Sequence, residues 1–240
     1  MFNPTVARLT YRALLGRRRA LILCALPALL LVVAAAVRAM VGADDEVTTQ
    51  LLGGFALATM VPLVGVIAGT GAIGPEIDDG SVVYLLSKPV KRPSIIVTKL
   101  IVATGVTAVF TAVPVLVAGI ILNGNSQQIA VAYALAAAVA SVAYSALFLL
   151  LGTVSRHAVV IGLIYSLIWE ALFGSLVEGA KTLSVQQWAL ALGEKVAGNG
   201  ADVTSSVGLP VALVLLVVVT VGGTWLAGQK LRTLTLAGDE

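Results

Sequence analysis

Six stretches of about 20 predominantly apolar residues run along this chain, and they constrain its fold more than any other feature. Each stretch is long enough for one helix to cross the hydrocarbon core of a bilayer. Only 11% of the residues are charged, whereas soluble domains carry roughly 25%. The sequence therefore predicts an all-α polytopic membrane protein with six transmembrane helices, at about 20–41, 51–73, 95–122, 129–154, 158–177 and 207–227.

The spans are predicted to be helices because runs such as 213–221 are apolar at every position, whereas strands of a membrane barrel alternate with period two. Pro27, Pro62 and Pro114 fall within spans, where membrane helices tolerate proline as a kink. We find no internal repeat and no low-complexity linker. Residues 1–240 are therefore predicted to form a single membrane domain.

The distribution of basic residues predicts how the chain is oriented. Twelve of the fifteen Lys and Arg residues lie on the side that holds both termini and the loops at 74–94 and 155–157. Since cytoplasmic loops carry the excess of positive charge, we expect both termini in the cytoplasm of a cell-membrane protein. The alternative is a cleaved signal peptide after Arg17–Arg19, but the apolar run that follows is longer than a signal sequence requires.

Two segments outside the spans have helical periodicity. Apolar residues from Val6 to Leu14 alternate with basic residues such as Arg8, which predicts an amphipathic interfacial helix or, alternatively, a basic flank that only sets topology. The outer segment 184–198 is also amphipathic. It is expected to lie on the outer membrane surface or to cap the bundle, with Trp188 at the level of the lipid headgroups.

Residues that would support catalysis by this chain are missing. Cys24 is the only cysteine, so no disulfide or cysteine cluster forms within the chain. The nearest approach to a phosphate loop fails because Ala180 separates Gly179 from Lys181 and no strand precedes it. His157, the one histidine, lies in a polar turn. We predict a non-catalytic chain without its own cofactor or metal and without nucleic-acid binding, since its positive charges flank spans.

Glu170 is the one acidic residue well inside a predicted span. A charged side chain there costs a few kcal/mol, so it should face the bundle interior, a cavity or a subunit contact. Its use is either contact with a substrate or proton, or a structural hydrogen bond, and the sequence leaves both open. In the second span, the spacing of Gly65 and Gly69 predicts close packing between helices.

The longest loop on the basic side, 74–92, is the most informative segment. Three acids, Glu76, Asp78 and Asp79, lie on a side that is otherwise positive, and an apolar Tyr-Leu-Leu cluster follows them. A loop that only set topology would need neither feature. We interpret it as a docking surface for a cytosolic partner, the alternative being a loop folded onto its own bundle.

At these residues the chain resembles the permease subunits of ABC-2 type transporters. Their loop between the second and third spans commonly carries an acidic stretch ending in Gly-(Ser/Thr), then Tyr-Leu-Leu-(Ser/Ala)-Lys-Pro and a basic residue. The matching positions here are Glu76, Asp78, Gly80, Ser81, Tyr84, Leu85, Leu86, Ser87, Lys88, Pro89 and Arg92.

The resemblance implies a half-transporter that dimerises, with a homodimer preferred, and binds two copies of a cytosolic ATPase subunit. ATP and Mg²⁺ would then be bound by that partner, and the loop would couple hydrolysis to export. The alternative function is a partner-independent secondary transporter or membrane scaffold with Glu170 as its ion-coupling acid.

Overall fold

The computed structural model of the protein describes residues 3–80, 92–174, 178–198 and 203–233, and within these ranges its regular secondary structure is entirely helical. The helices are α1 (Pro4–Leu14), α2 (Arg17–Val41), α3 (Asp45–Gln50), α4 (Leu51–Met60), α5 (Val61–Gly71), α6 (Gly74–Asp78), α7 (Arg92–Leu122), α8 (Gln127–Val154), α9 (Ala158–Ile164), α10 (Tyr165–Phe173), α11 (Glu178–Lys181), α12 (Val185–Ala197) and α13 (Leu209–Thr233).

Within the described residues, five helical stretches are long and apolar enough to cross a membrane, and they correspond to five of the six predicted spans: Arg19–Val41, Asp45–Ile77, Pro93–Leu122, Gln127–Val154 and Leu209–Leu231. The predicted fifth span corresponds to Ala158–Phe173, an apolar helix that is shorter than the other five. The expectation of a helical membrane protein is thus confirmed. The count of six spans and the side on which the termini lie stay predictions.

The second span extends further than its apolar run, because helix caps rather than hydropathy set where a helix begins. The side chain of Asp44 accepts a hydrogen bond from the backbone N–H of Val47 at 3.0 Å, which starts α3 well before the predicted first residue, Leu51. Its other end continues to Ile77, beyond the predicted end at Ile73. The last span begins at Leu209 rather than 207.

The second and fourth spans form the centre of the bundle. Helix α8 packs against α5, α7, α12 and α13. Of the most apolar part of each span, 61% is buried in the second and 56% in the fourth, against 22% in the first and 17% in the last. The first and last spans therefore present most of their surface to the surroundings, which suits helices that face lipid.

Small residues allow the two central spans to approach closely. Gly65 and Gly69 of α5 both lie against α8: a Cβ atom would be 2.9 Å from Tyr144 at the first glycine and 2.6 Å from Phe148 at the second. The spacing read from the sequence therefore corresponds to a helix contact within the chain. Lipid offers no hydrophobic advantage for such a contact, so close van der Waals packing has to supply its stability.

Hydroxyl groups link the third and fourth spans. The Oγ1 atom of Thr111 lies 3.0 Å from the Oγ atom of Ser141, and Ser145 donates a hydrogen bond to Thr107 at 3.3 Å. All four side chains are fully buried. Helices α7 and α8 thus carry a row of hydrogen bonds across their interface, of the kind that holds membrane helices together.

Two segments, α4 and α10, are π-helical and contact each other. The N–H of Val61 bonds to the carbonyl of Ala56, and the N–H of Gly174 bonds to that of Trp169, so both ends have the i→i−5 pattern. Pro62 is the second residue of α5, just after α4, and a proline lacks the N–H that an α-helical turn would use there. The sequence analysis predicted neither π-helical segment. Such segments are often found near functional sites.

Helix α1 buries one face and exposes the other. Asn3 caps it by accepting hydrogen bonds from two backbone N–H groups. Val6, Thr10 and Leu14 are buried, whereas Arg8 is exposed. The helix is therefore present, but Leu9 of the expected apolar face is 52% exposed, and an amphipathic helix at a membrane interface stays a prediction.

Trp188 is buried within the protein, and its depth relative to the lipid headgroups stays a prediction. Its side chain is only 4% exposed, and its indole N–H donates to the carbonyl of Thr182 at 2.8 Å. Helix α12 packs against α8, and Gly193 lies so close to the carbonyl of Ala132 that a Cβ atom would be 2.8 Å from it. The amphipathic pattern of this segment reflects a helix that caps the bundle, since the same periodicity suits burial against protein and against lipid headgroups.

Candidate functional site

Helix α6 contains the start of the acidic loop. Pro75 lies in its first turn, where the missing N–H costs no helical hydrogen bond. The helix ends at Asp78, and Gly80 then adopts φ of 68°, a left-handed conformation that favours glycine. Asp79 is exposed. The motif therefore has a glycine at this position because its left-handed conformation lets the chain turn away from the end of α6.

Most of the predicted docking cluster lies outside the described residues, namely Ser81, Tyr84, Leu85, Leu86, Lys88 and Pro89. Asp78 is the last residue of α6 and Arg92 the first of α7, and the structure describes the backbone of both. A docking role for these residues stays a prediction.

Glu76 contacts the protein's own bundle. Its Oε1 atom lies 2.7 Å from Nζ of Lys99, on the third span, and the same ammonium group donates to the carbonyl of Ala72 at 2.6 Å. The side chain of Lys99 is fully buried, whereas that of Glu76 is 28% exposed. A buried ammonium group needs such partners, since leaving it unpaired would cost several kcal/mol.

Arg19 is a second basic residue that contacts the C-terminal end of α5, close to Lys99. A guanidinium nitrogen of Arg19 lies 3.4 Å from the carbonyl of Gly71 and 3.4 Å from that of Ala13. The last carbonyls of a helix lack intrahelical partners and carry the negative end of its dipole, so basic side chains stabilise them. Lys99 and Arg19 therefore cap the end of α5 from two neighbouring helices.

Helix α1 joins this arrangement through its first residues. The backbone N–H of Asn3 donates to the hydroxyl of Thr98 on α7 at 3.1 Å, and that hydroxyl donates to the carbonyl of Ser94 at 2.6 Å. Helix α1, the end of α5, helix α6 and the start of α7 are thus held together, and we refer to this region as the α6 junction.

The sequence pointed to the loop and missed its anchor. Lys99 and Arg19 counted only as charges that orient the chain. A usable signal was present, because Lys99 lies inside an apolar run and an ionisable group within a span usually has a specific partner.

Glu170 lies in α10 and is fully buried. Its Oε1 atom accepts hydrogen bonds from the hydroxyl of Tyr165 at 2.7 Å and from the backbone N–H of Val185 at 3.1 Å, and its Oε2 atom accepts one from the hydroxyl of Ser184 at 2.5 Å. Val185 is the first residue of α12, so the carboxylate of Glu170 caps that helix from a different part of the chain. Its negative charge also interacts favourably with the positive end of the helix dipole.

Two further polar groups lie near this carboxylate. Gln186 donates from Nε2 to the carbonyl of Gly53 in α4 at 3.0 Å, so α12 is bonded to both π-helical segments. Among the described residues, neither the hydroxyl of Tyr144 nor Oε1 of Gln186 has a hydrogen-bond partner.

Over the described ranges, no group of three or more His, Cys, Asp and Glu side chains is placed to hold a metal ion. His157 precedes α9 and is exposed, as a turn residue would be. That the chain carries no cofactor of its own stays a prediction.

The comparison with protein families gives one result. Residues 9–192 match the family model described as ABC-2 family transporter protein. The matched range includes the end of α5, helix α6, the loop between α6 and α7, the start of α7 and Glu170. A comparison with curated proteins finds no match. Because the family model covers well over half of the chain, and the helices are those of an integral membrane protein, the chain belongs to the ABC-2 transporter family.

Proposed function

We propose that this chain is the permease subunit of an ATP-driven ABC exporter in the cell membrane, with both termini cytoplasmic. Two permease chains, as a homodimer, would bind two copies of a cytosolic ATPase subunit that carries ATP and Mg²⁺. The observation that carries the proposal is the family match over residues 9–192, which includes the loop with the ABC-2 motif.

The α6 junction supports a coupling role for this loop. A coupling element has to be joined firmly to the spans that it moves, and Glu76 of α6 is paired with the fully buried Lys99 of the third span. The acidic Asp79 at the end of α6 is exposed and free of such burial. One part of the segment is therefore anchored, and the next part is accessible to a partner.

In the proposed mechanism, ATP binding and hydrolysis on the partner displace the loop after α6. The displacement passes through the α6 junction into the second and third spans, and the two permease halves rock to expose a path between them to alternate sides. Differential contact of the ATPase with the two states supplies the energy for this shift.

The contacts of Glu170 favour this proposal over a secondary transporter. An ion-coupling acid has to exchange its proton or cation during the cycle, whereas Glu170 is held by three donors from its own chain and caps α12. A carboxylate in that setting supports the bundle.

Copurification tests the proposal directly. A tagged chain should retain an ATPase subunit with a phosphate loop after extraction in mild detergent, and the complex should hydrolyse ATP. Truncation of a buried aromatic or aliphatic anchor typically costs over 1 kcal/mol of binding, so Tyr84→Ala with Leu85→Ala should weaken retention or coupling. Ser126→Ala, in the loop before α8, is the control. Absence of any ATPase from the wild-type preparation would contradict the proposal.

A further inference from the structure

The connection between α5 and α6, within the second membrane stretch Asp45–Ile77, is the least regular part of the α6 junction. Helix α5 ends at Gly71, and the N–H groups of Ala72 and Ile73 make long hydrogen bonds of 3.4 Å to carbonyls three residues earlier. Helix α6 then starts afresh at Gly74. Backbone hydrogen bonds alone would let α6 hinge here, because the regular helical ladder is interrupted.

Lys99 spans this break. Its ammonium group donates to the carbonyl of Ala72, within the interruption, and to Glu76 of α6, beyond it. Both partners lie more than 20 residues away in the chain, so the contact connects separate helices. The side chain of Lys99 is fully buried. Moving α6 away from α7 would therefore leave its ammonium group without Glu76 at a site where water cannot replace that partner.

We infer that Lys99 is a positioning residue for the proposed coupling function: it holds α6 on the third span, so that α6 and α7 move together as one unit. The inference rests on the proposed function for its role in transport. Without Lys99, a partner would still bind the loop, but α6 would hinge at Ala72 and Ile73 and the movement would not reach the third span.

Spin-label distances test this inference without knowledge of the cargo. In a Cys24→Ala background, nitroxides are attached at Asp79→Cys and Ile101→Cys, which lie after α6 and on α7 and are both exposed. Distances are measured in the complex without nucleotide and after trapping with ATP and vanadate. The wild-type distance should not shift on trapping, whereas Lys99→Met should give a shifted or broadened distribution.

Matched variants separate positioning from general stability. Glu76→Gln removes the same ion pair from its other end and should reproduce the effect of Lys99→Met, and the double variant should be no worse than either single one. Lys195→Met, an exposed position in α12, is the control for loss of a lysine. A merely structural role for Lys99 would lower thermal stability and leave the distances insensitive to trapping.

Two results would overturn the inference: a wild-type distance that shifts on trapping, or a Lys99→Met distribution identical to wild type. The chain purified alone gives an independent comparison, since Lys99→Met should already broaden the distribution there. Failure to recover an ATPase with the wild-type chain would contradict the proposed function, and the comparison in the isolated chain would still decide whether Lys99 positions α6.

Discussion

A Cβ atom on Gly69 would lie 2.6 Å from Cβ of Phe148 and 3.2 Å from the backbone nitrogen of Leu149. The first of these distances is shorter than real Cβ contacts allow, and backbone atoms cannot move aside as a flexible side chain can. The second and fourth spans therefore pack so closely at this point that no side chain larger than that of glycine fits between them.

Gly69→Ala should destabilise the protein by about 1–3 kcal/mol, the usual cost of forcing an extra carbon into a packed core. Gly105→Ala is the matched control, because nothing lies within 4 Å of a Cβ atom at that position of α7. The measurement is thermal unfolding of the purified proteins in detergent. Equal melting temperatures for the two variants would show that the contact between α5 and α8 is looser than described.

Substitution of Glu170 separates a hydrogen-bonding role from a titrating one. Glu170→Gln should have a mild effect, because the amide oxygen can still accept from Tyr165 and Val185 while its NH₂ group faces the hydroxyl of Ser184. Glu170→Leu should destabilise the protein, because leaving the buried N–H of Val185 without an acceptor would by itself lower the free energy of unfolding by about 1–3 kcal/mol.

Thermal stability and ATP-dependent transport activity are to be measured for both Glu170 variants, with Glu46→Gln, an exposed position in α3, as the control. Complete loss of activity in Glu170→Gln, with normal assembly and stability, would show that the acid titrates during transport.

The hydroxyl row between α7 and α8 should contribute a modest coupling energy. Thr111→Val and Ser141→Ala remove the two oxygen atoms that lie 3.0 Å apart, and their double-mutant cycle should give about 0.6 kcal/mol, the average for hydrogen bonds between membrane helices. Unfolding in detergent measures the three variants against wild type. Strictly additive losses would mean that each hydroxyl serves only its own helix, through the carbonyl four residues earlier.

Cysteine labelling tests the orientation predicted from the basic residues. In a Cys24→Ala background, Ala43→Cys, between α2 and α3, should react with an impermeant maleimide in intact cells, and Asp79→Cys, after α6, should react only once the membrane is opened. Both positions are exposed, so reactivity reports the side of the membrane. Labelling of Asp79→Cys from outside would reverse the topology.

The sequence by itself determined the features that depend on local composition. Apolar runs of about 20 residues are sufficient to indicate membrane helices, because the hydrocarbon core requires every backbone group to be bonded within its own helix. The acidic and Tyr-Leu-Leu loop indicated the ABC-2 family, which the match over residues 9–192 confirms. The spacing of Gly65 and Gly69 pointed to a close helix contact because glycine alone leaves the backbone uncovered.

Only the tertiary structure decided which charged and polar groups meet. Lys99 pairs with Glu76 from 23 residues away, and Glu170 caps a helix that begins 15 residues later, and no local pattern specifies either partner. The sequence left open whether the helix with Trp188 lies on a membrane surface or caps the bundle, because both positions require the same periodicity, and the structure shows Trp188 buried against the bundle. Hydropathy reports how much surface a segment must bury, whereas the identity of the surface that buries it is set by the packing of the whole chain.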